Sequence, residues 1–274
     1  MGHIYRRKPT TMKFILKSTF LTLLLIGTVS CKSEQKVPET KKGEKQEITE
    51  INKAGKIVNS AIKSHGGELY NKASYAFSFR NKEYTFINRG NEYTYTLKKE
   101  NAEKETILDV LENGIFKRTI NGKQLNLSEE DASKYGESLN SVIYFATLPH
   151  KLNDSAVNKS YKGEIQIKGE NYDVIEVTFK QEGGGKDFED HYYYWINKKS
   201  HTMDYLAYNY KVNGGGVRFR SSYNRRNVGG IIFQDYINYK AEVGTYLKDL
   251  PVLYENDKLK EVSRIDTENV KQIQ

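Results

Sequence analysis

One cysteine, Cys31, is all the thiol that the 274 residues contain. A lone cysteine leaves no partner for an intrachain disulfide and excludes any metal site built on two thiolates. GxSxG and HExxH strings are missing, and no pair among the five histidines stands at metal-binding spacing. The GGGK at 183–186 suggests a phosphate loop, but a strand beginning near Asp190 follows where such a loop needs a helix. Strands do not alternate with helices, which sets the βα-barrel enzymes aside. No catalytic residue, metal ligand or cofactor is therefore expected. His65 reads as a helix-terminus or packing residue, and His150 and His201 as exposed loop residues.

Long apolar runs are also scarce. Phe20 to Val29 is too short to span a bilayer, which takes about 20 apolar residues. It follows Lys13 and Lys17 and ends at Ser30, just before Cys31, the layout of a secretory signal of the lipoprotein type. Residues 1–30 are thus expected to be removed, with Met12 the better start, and Cys31 is expected to carry a lipid. Cleavage there would take away Arg6, Arg7, Lys8, Lys13 and Lys17 and no acid, lowering the net charge from +8 to +3. That removes most of the support for a nucleic-acid partner. Residues 32–46 have almost no apolar side chain and read, with Cys31, as a disordered tether.

Residues 47–265 are expected to form one domain, with 266–274 frayed. Ile48, Ile51, Ala54, Val58, Ala61 and Ile62 recur at helical spacing and are followed by Gly66–Gly67, an amphipathic helix with a glycine cap. Six short runs between 75 and 127 then form a meander, with Asn-Gly hairpin signals at 113–114 and 121–122. A helical insert opens at Ser128 and lasts to Pro149, divided in two at Gly136. Strands at 161–168 and 171–180 lead into a second meander over 191–197, 203–212, 216–224 and 230–239. The fold class is mainly β with few helices (α+β). A long curved antiparallel sheet is expected to form an open or half-closed barrel, with the N-terminal helix and the insert over its mouth.

Folding each hairpin of the second meander symmetrically about its loop assigns two faces. One carries His191, Tyr193, Trp195, Met203, Tyr205, Ala207, Asn209, Val217, Phe219, Ser221, Tyr223, Ile231, Phe233, Asp235, Ile237 and Tyr239 and is mostly apolar. It is the expected wall of a ligand cavity, with His191, Asn209, Phe219 and Asp235 side by side as a rim for a polar head. The other carries Tyr192, Tyr194, Leu206, Tyr208, Tyr210, Arg218, Arg220, Gln234 and Tyr236 and is expected to meet water. Arg218 and Arg220 there are candidate anion contacts, or else stack on Tyr210 and Tyr208.

The helix ending in HGG, the strings YYYWIN and MDYLAYNY, and the run GGGVRFR…NRR…GGIIFQDY resemble an uncharacterised family of cell-envelope lipoproteins of Bacteroidota over about 47–265. The architecture is similar to the LolA and LolB lipoprotein-localisation carriers. That resemblance implies a membrane-anchored outer-membrane lipoprotein, on the periplasmic or the surface side. It would bind a lipid or acyl chain without chemistry and meet other envelope proteins. A hydrolase acting on an envelope lipid or glycan and a purely structural envelope partner stand as alternatives.

Overall fold

The computed structural model describes residues 40–180, 182, 190–211 and 214–273. Cys31 and the signal segment lie outside them. Helix α1 covers Thr40–Ser64. It starts earlier than its apolar stripe, so the stretch expected as tether is helical from Thr40 on; the lysines and glutamates there are good helix formers. Ala54, Val58 and Ala61 on α1 are fully buried. Gly66, at φ 134, then turns the chain, and a Cβ there would come within 3.0 Å of Ile231.

The antiparallel, mainly β class is as expected, and the barrel does not close. The strands divide into two seven-stranded sheets. The first is built from β1 (Ser74–Phe79), β2 (Lys82–Arg89), β3 (Glu92–Glu100), β4 (Thr106–Glu112), β5 (Ile115–Ile120) and β6 (Lys123–Gln124). Asn113–Gly114 and Asn121–Gly122 both take positive φ, the conformation that two-residue hairpin turns demand. Helix α2 (Glu129–Ala146) is capped by the Ser128 side chain and runs unbroken through Gly136, which packs on Phe116. It lays Leu139 and Ile143 on the first sheet's Tyr84, Phe86, Tyr95 and Leu111.

The second sheet holds β7 (Val157–Ile167), β8 (Glu170–Phe179), β9 (Tyr192–Asn197), β10 (Met203–Tyr210), β11 (Gly216–Val228), β12 (Ile231–Ala241) and β13 (Lys260–Ile265). One of its faces takes α1 against Ile175, Val177, Tyr194, Ile196 and Leu206. The other is covered by Leu247 and by α3 (Leu250–Glu255), an element the sequence reading missed. The residues expected to fray instead form β14 (Glu268–Gln272), which pairs with β1 and edges the first sheet. Only Asp266 and Thr267 separate it from β13, so the C-terminal ribbon joins the two sheets.

Asp235 fixes that join. Its carboxylate is 2% exposed and accepts from the Thr267 amide (2.8 Å), the Thr267 hydroxyl (2.9 Å) and Asn224 (2.6 Å). Arg226 pairs with it at 3.1 Å. A bulge in β11 between Tyr223 and Arg226 delivers this arginine to the seam.

Candidate functional site

A cavity of ≈ 420 Å³ lies between the inner faces of the two sheets. Phe77, Phe79 and Arg80 enter it from β1 and its turn, and Val142, Phe145 and Ala146 from the last turns of α2. The second sheet contributes Tyr192, Tyr208, Tyr210, Arg218, Arg220, Gln234, Tyr236 and Asn238, and the ribbon adds Ile265 and Thr267. Another hollow, around Glu68, Asn71, Asn88, Lys151 and Asp154, is more polar.

The cavity wall is therefore the face expected to meet water. Alternation places most residues correctly into two sets, since Tyr205 opposes Trp195 and Ser221, and Ala207 opposes Tyr193 and Phe219; Met203 is the exception, turned among Tyr194, Ile196 and Leu206 by an irregularity before Tyr205. What the sequence reading inverted is the role of each set. The set expected to line a cavity is packed shut by the chain itself: Leu247, Leu250 and Tyr254 lie on Trp195, Tyr205 and Phe219. The Tyr254 ring stands 5.1 Å from Phe219 and 5.7 Å from Tyr205. Trp195, 1% exposed, is core on the far side of the sheet from the cavity. Phe233 packs between Tyr75 and Phe86 of the first sheet.

The expected row of His191, Asn209, Phe219 and Asp235 does not form. His191 and Asn209 do meet, the His191 amide donating to Asn209 Oδ1 at 3.1 Å. Asn209 faces Val217, Phe219 faces Tyr239, and Asp235 faces Tyr223 at the seam. Half-buried Ile237 opposes Ser221. Half-buried Tyr193 has its phenol pushed up to about 12 by burial and by Glu176. His191 is exposed, with Nδ1 3.4 Å from Glu176. His150, expected in solvent, is half-buried and stacked on Tyr70 at 4.5 Å, because a short 3-10 helix, His150–Asn153, turns it inward.

The cavity lining is mixed, and several of its polar groups bond to one another. Arg220 Nη2 donates to Tyr208 Oη at 2.9 Å and Arg218 Nη2 to Tyr210 Oη at 2.6 Å. The guanidinium of Arg220 lies 4.0 Å from the Phe145 ring and 5.2 Å from that of Tyr208. Tyr210 is held over Gly216, where a Cβ would come within 2.4 Å of the phenol. Gln234 bridges the Tyr236 hydroxyl (2.7 Å) and the Met203 carbonyl (2.8 Å), and burial pushes Tyr236 up to about 12. Nothing in this arrangement pairs a nucleophile with a base. Among the described residues no cluster of His, Cys, Asp or Glu could hold a metal ion.

The cavity residues missed from sequence were Phe77, Phe79, Val142 and Phe145, which come from other elements, and the tyrosine face itself. A signal was available: five tyrosines and two arginines share that face with no acid opposite them, a poor composition for a solvated surface.

Among solved structures, the chain is similar to a LolA superfamily protein from Nitrosomonas europaea, at 12% identity and a TM-score of 0.47, covering 81% of this chain and 94% of that one. A DUF1329 family protein from Desulfovibrio piger follows at 12% identity and 0.43, covering 81% and 93%. A domain named for outer membrane lipoprotein sorting, from Vibrio parahaemolyticus, gives 8% and 0.44 with the same coverage. At these values the likeness carries nothing about function. No curated protein matches the chain. Residues 47–267 match the model of a family of unknown function, DUF6503, and the chain belongs to that family.

Proposed function

We propose that this protein binds an amphipathic molecule, with an apolar body, in the cavity between its sheets and performs no covalent chemistry on it. The observation that carries the reading is a cavity of ≈ 420 Å³, within the range of small-molecule sites, walled by Phe77, Phe79, Val142, Phe145 and Ile265. A protein whose two sheets could collapse onto each other would fill this space with side chains. Here the last turns of α2 line the space together with both sheets. The test is to purify the full chain from membranes and identify co-purified lipid by mass spectrometry. Val142→Glu should lower the amount of bound lipid, because a carboxylate in an apolar part of the wall is costly to desolvate. A wild-type protein free of lipid that also ignores every added amphiphile would overturn the reading.

The same proposal places the protein in the cell envelope, tethered through Cys31. A single cysteine directly after a short apolar run supports this. Cys31→Ala is expected to leave an unprocessed or soluble protein, where the wild type fractionates with membranes and carries an acyl adduct on Cys31. Membrane fractionation of the variant like wild type, with no adduct on the wild type, would exclude the anchor.

A further inference from the structure

Two arginines are buried among the described residues, Arg118 and Arg220, and only the first has a carboxylate partner. Arg118 is paired with Asp109, Arg225 with Asp204 and Arg226 with Asp235. Arg220 is only 7% exposed, yet it makes no ion pair among the described residues, and its Nε has no hydrogen-bond partner. A guanidinium stays charged at any accessible pH. Stacking on Phe145 and one bond from Nη2 to the Tyr208 hydroxyl replace little of the water such a cation gives up. Two places along β11, half-buried Arg218 presents a second guanidinium on the same face, also without an ion pair among the described residues. Asp190, the one carboxylate on the wall among the described residues, has interactions of its own.

We infer that the cavity takes a single-chain amphiphile with a carboxylate head, seated head-inward on Arg220 with Arg218 beside it. The inference rests on the amphiphile reading above and adds the head, its orientation and the number of chains. The planar fork of Arg220, with Nε unpaired, matches a carboxylate. Buried Asp190 on the same wall disfavours a doubly charged head such as a phosphate monoester. The volume, near the low end of ligand sites, suits one chain. With the head at Arg220, Phe77, Phe79, Val142 and Ile265 are left for the chain.

The full-length, delipidated protein tests this by calorimetric titration with dodecanoate, dodecan-1-ol, dodecyl phosphate and acetate. Wild type should bind dodecanoate well above the alcohol and the phosphate, and acetate weakly. In Arg220→Met, affinity for dodecanoate should fall by roughly tenfold or more, the scale of one charge-assisted hydrogen bond, while the alcohol is unchanged. Removing an unpaired buried charge should also raise the melting temperature of the unliganded variant. Arg220→Lys, which keeps the charge and loses the fork, is the second variant and should fall between. Equal binding of acid and alcohol, or dodecanoate affinity untouched by both substitutions, would overturn the head-inward seat and leave the amphiphile reading standing. Tighter binding of dodecyl phosphate would overturn the carboxylate. Acetate binding as tightly as dodecanoate would overturn the amphiphile in both forms, as would a protein that binds no chain.

Discussion

Asp109→Ala is expected to cost the folded protein about 3–5 kcal/mol, measured by urea denaturation. Asp109 and Arg118 are direct cross-strand partners on β4 and β5, joined by two hydrogen bonds of 2.6 and 2.8 Å. Their side chains are 2% and 9% exposed, and the guanidinium lies 3.6 Å from the Tyr135 ring of α2. Removing the carboxylate strands a cation under that helix, and the loss comes from the charge left behind more than from the bond broken. The double variant Asp109→Leu/Arg118→Met removes both charges and should recover most of the stability. A double variant as unstable as the single one would show that the stranded charge is not the cause.

Acid should destabilise the protein well above the range where ordinary carboxylates titrate. His65 is fully buried, and its Nε2 accepts the Met203 amide at 3.2 Å, so the ring must be neutral with its proton on Nδ1. Burial, with a smaller push from the charge of Arg225, lowers its pKa from 6.5 to about 3. The unfolded chain takes up this proton first as pH falls, so stability is complete above about pH 6.5 and drains away down to about pH 3. At about 1.36 kcal/mol per pH unit of that window, the order of magnitude is about 5 kcal/mol. His150, lowered to about 4 by burial and then by Lys151, acts in the same direction over a shorter window. Unfolding free energies at several values between pH 7.5 and 4.5 should fall steadily for wild type. His65→Gln, less stable at neutral pH, should show a flatter profile, and an unchanged slope would remove His65 from the account.

The sequence made the elements more legible than their neighbours. Asn-Gly pairs fixed two hairpins because only that turn gives both residues positive φ at low cost. Period-two alternation sorted the second meander into its two faces, and this survived errors in register except at Met203, which an irregularity before Tyr205 turns to the other face. Asn209 was expected opposite Phe219 and stands opposite Val217, a slip of two residues; Phe219 was expected beside Asp235 and stands beside Tyr239, a slip of four. Even slips leave a side chain on its own face but change its company, so a rim drawn across four strands dissolved while the faces held. Which face encloses the cavity was not legible, because it depends on what covers each. The cover on the apolar face is α3, LPVLYE, too short to show helical periodicity, and β14, ENVKQ, has no alternation to mark it as a strand. Sheltered tyrosines and solvated ones look alike in a sequence.

The pairing of β1 with β14 sets an order in time. Tyr75 sits opposite Gln272, so β1 is made nearly the whole domain earlier than its partner. Until residues 268–272 have been synthesised, the first sheet has an open row of amides and carbonyls beside β1, although β2 and the strands after it can already have zipped up locally. Such an edge pairs with any extended chain it meets. A message cut short before codon 268 would therefore yield a nearly full-length product with a templating edge, and its fate would be decided by crowding and chaperones more than by the few contacts it lacks.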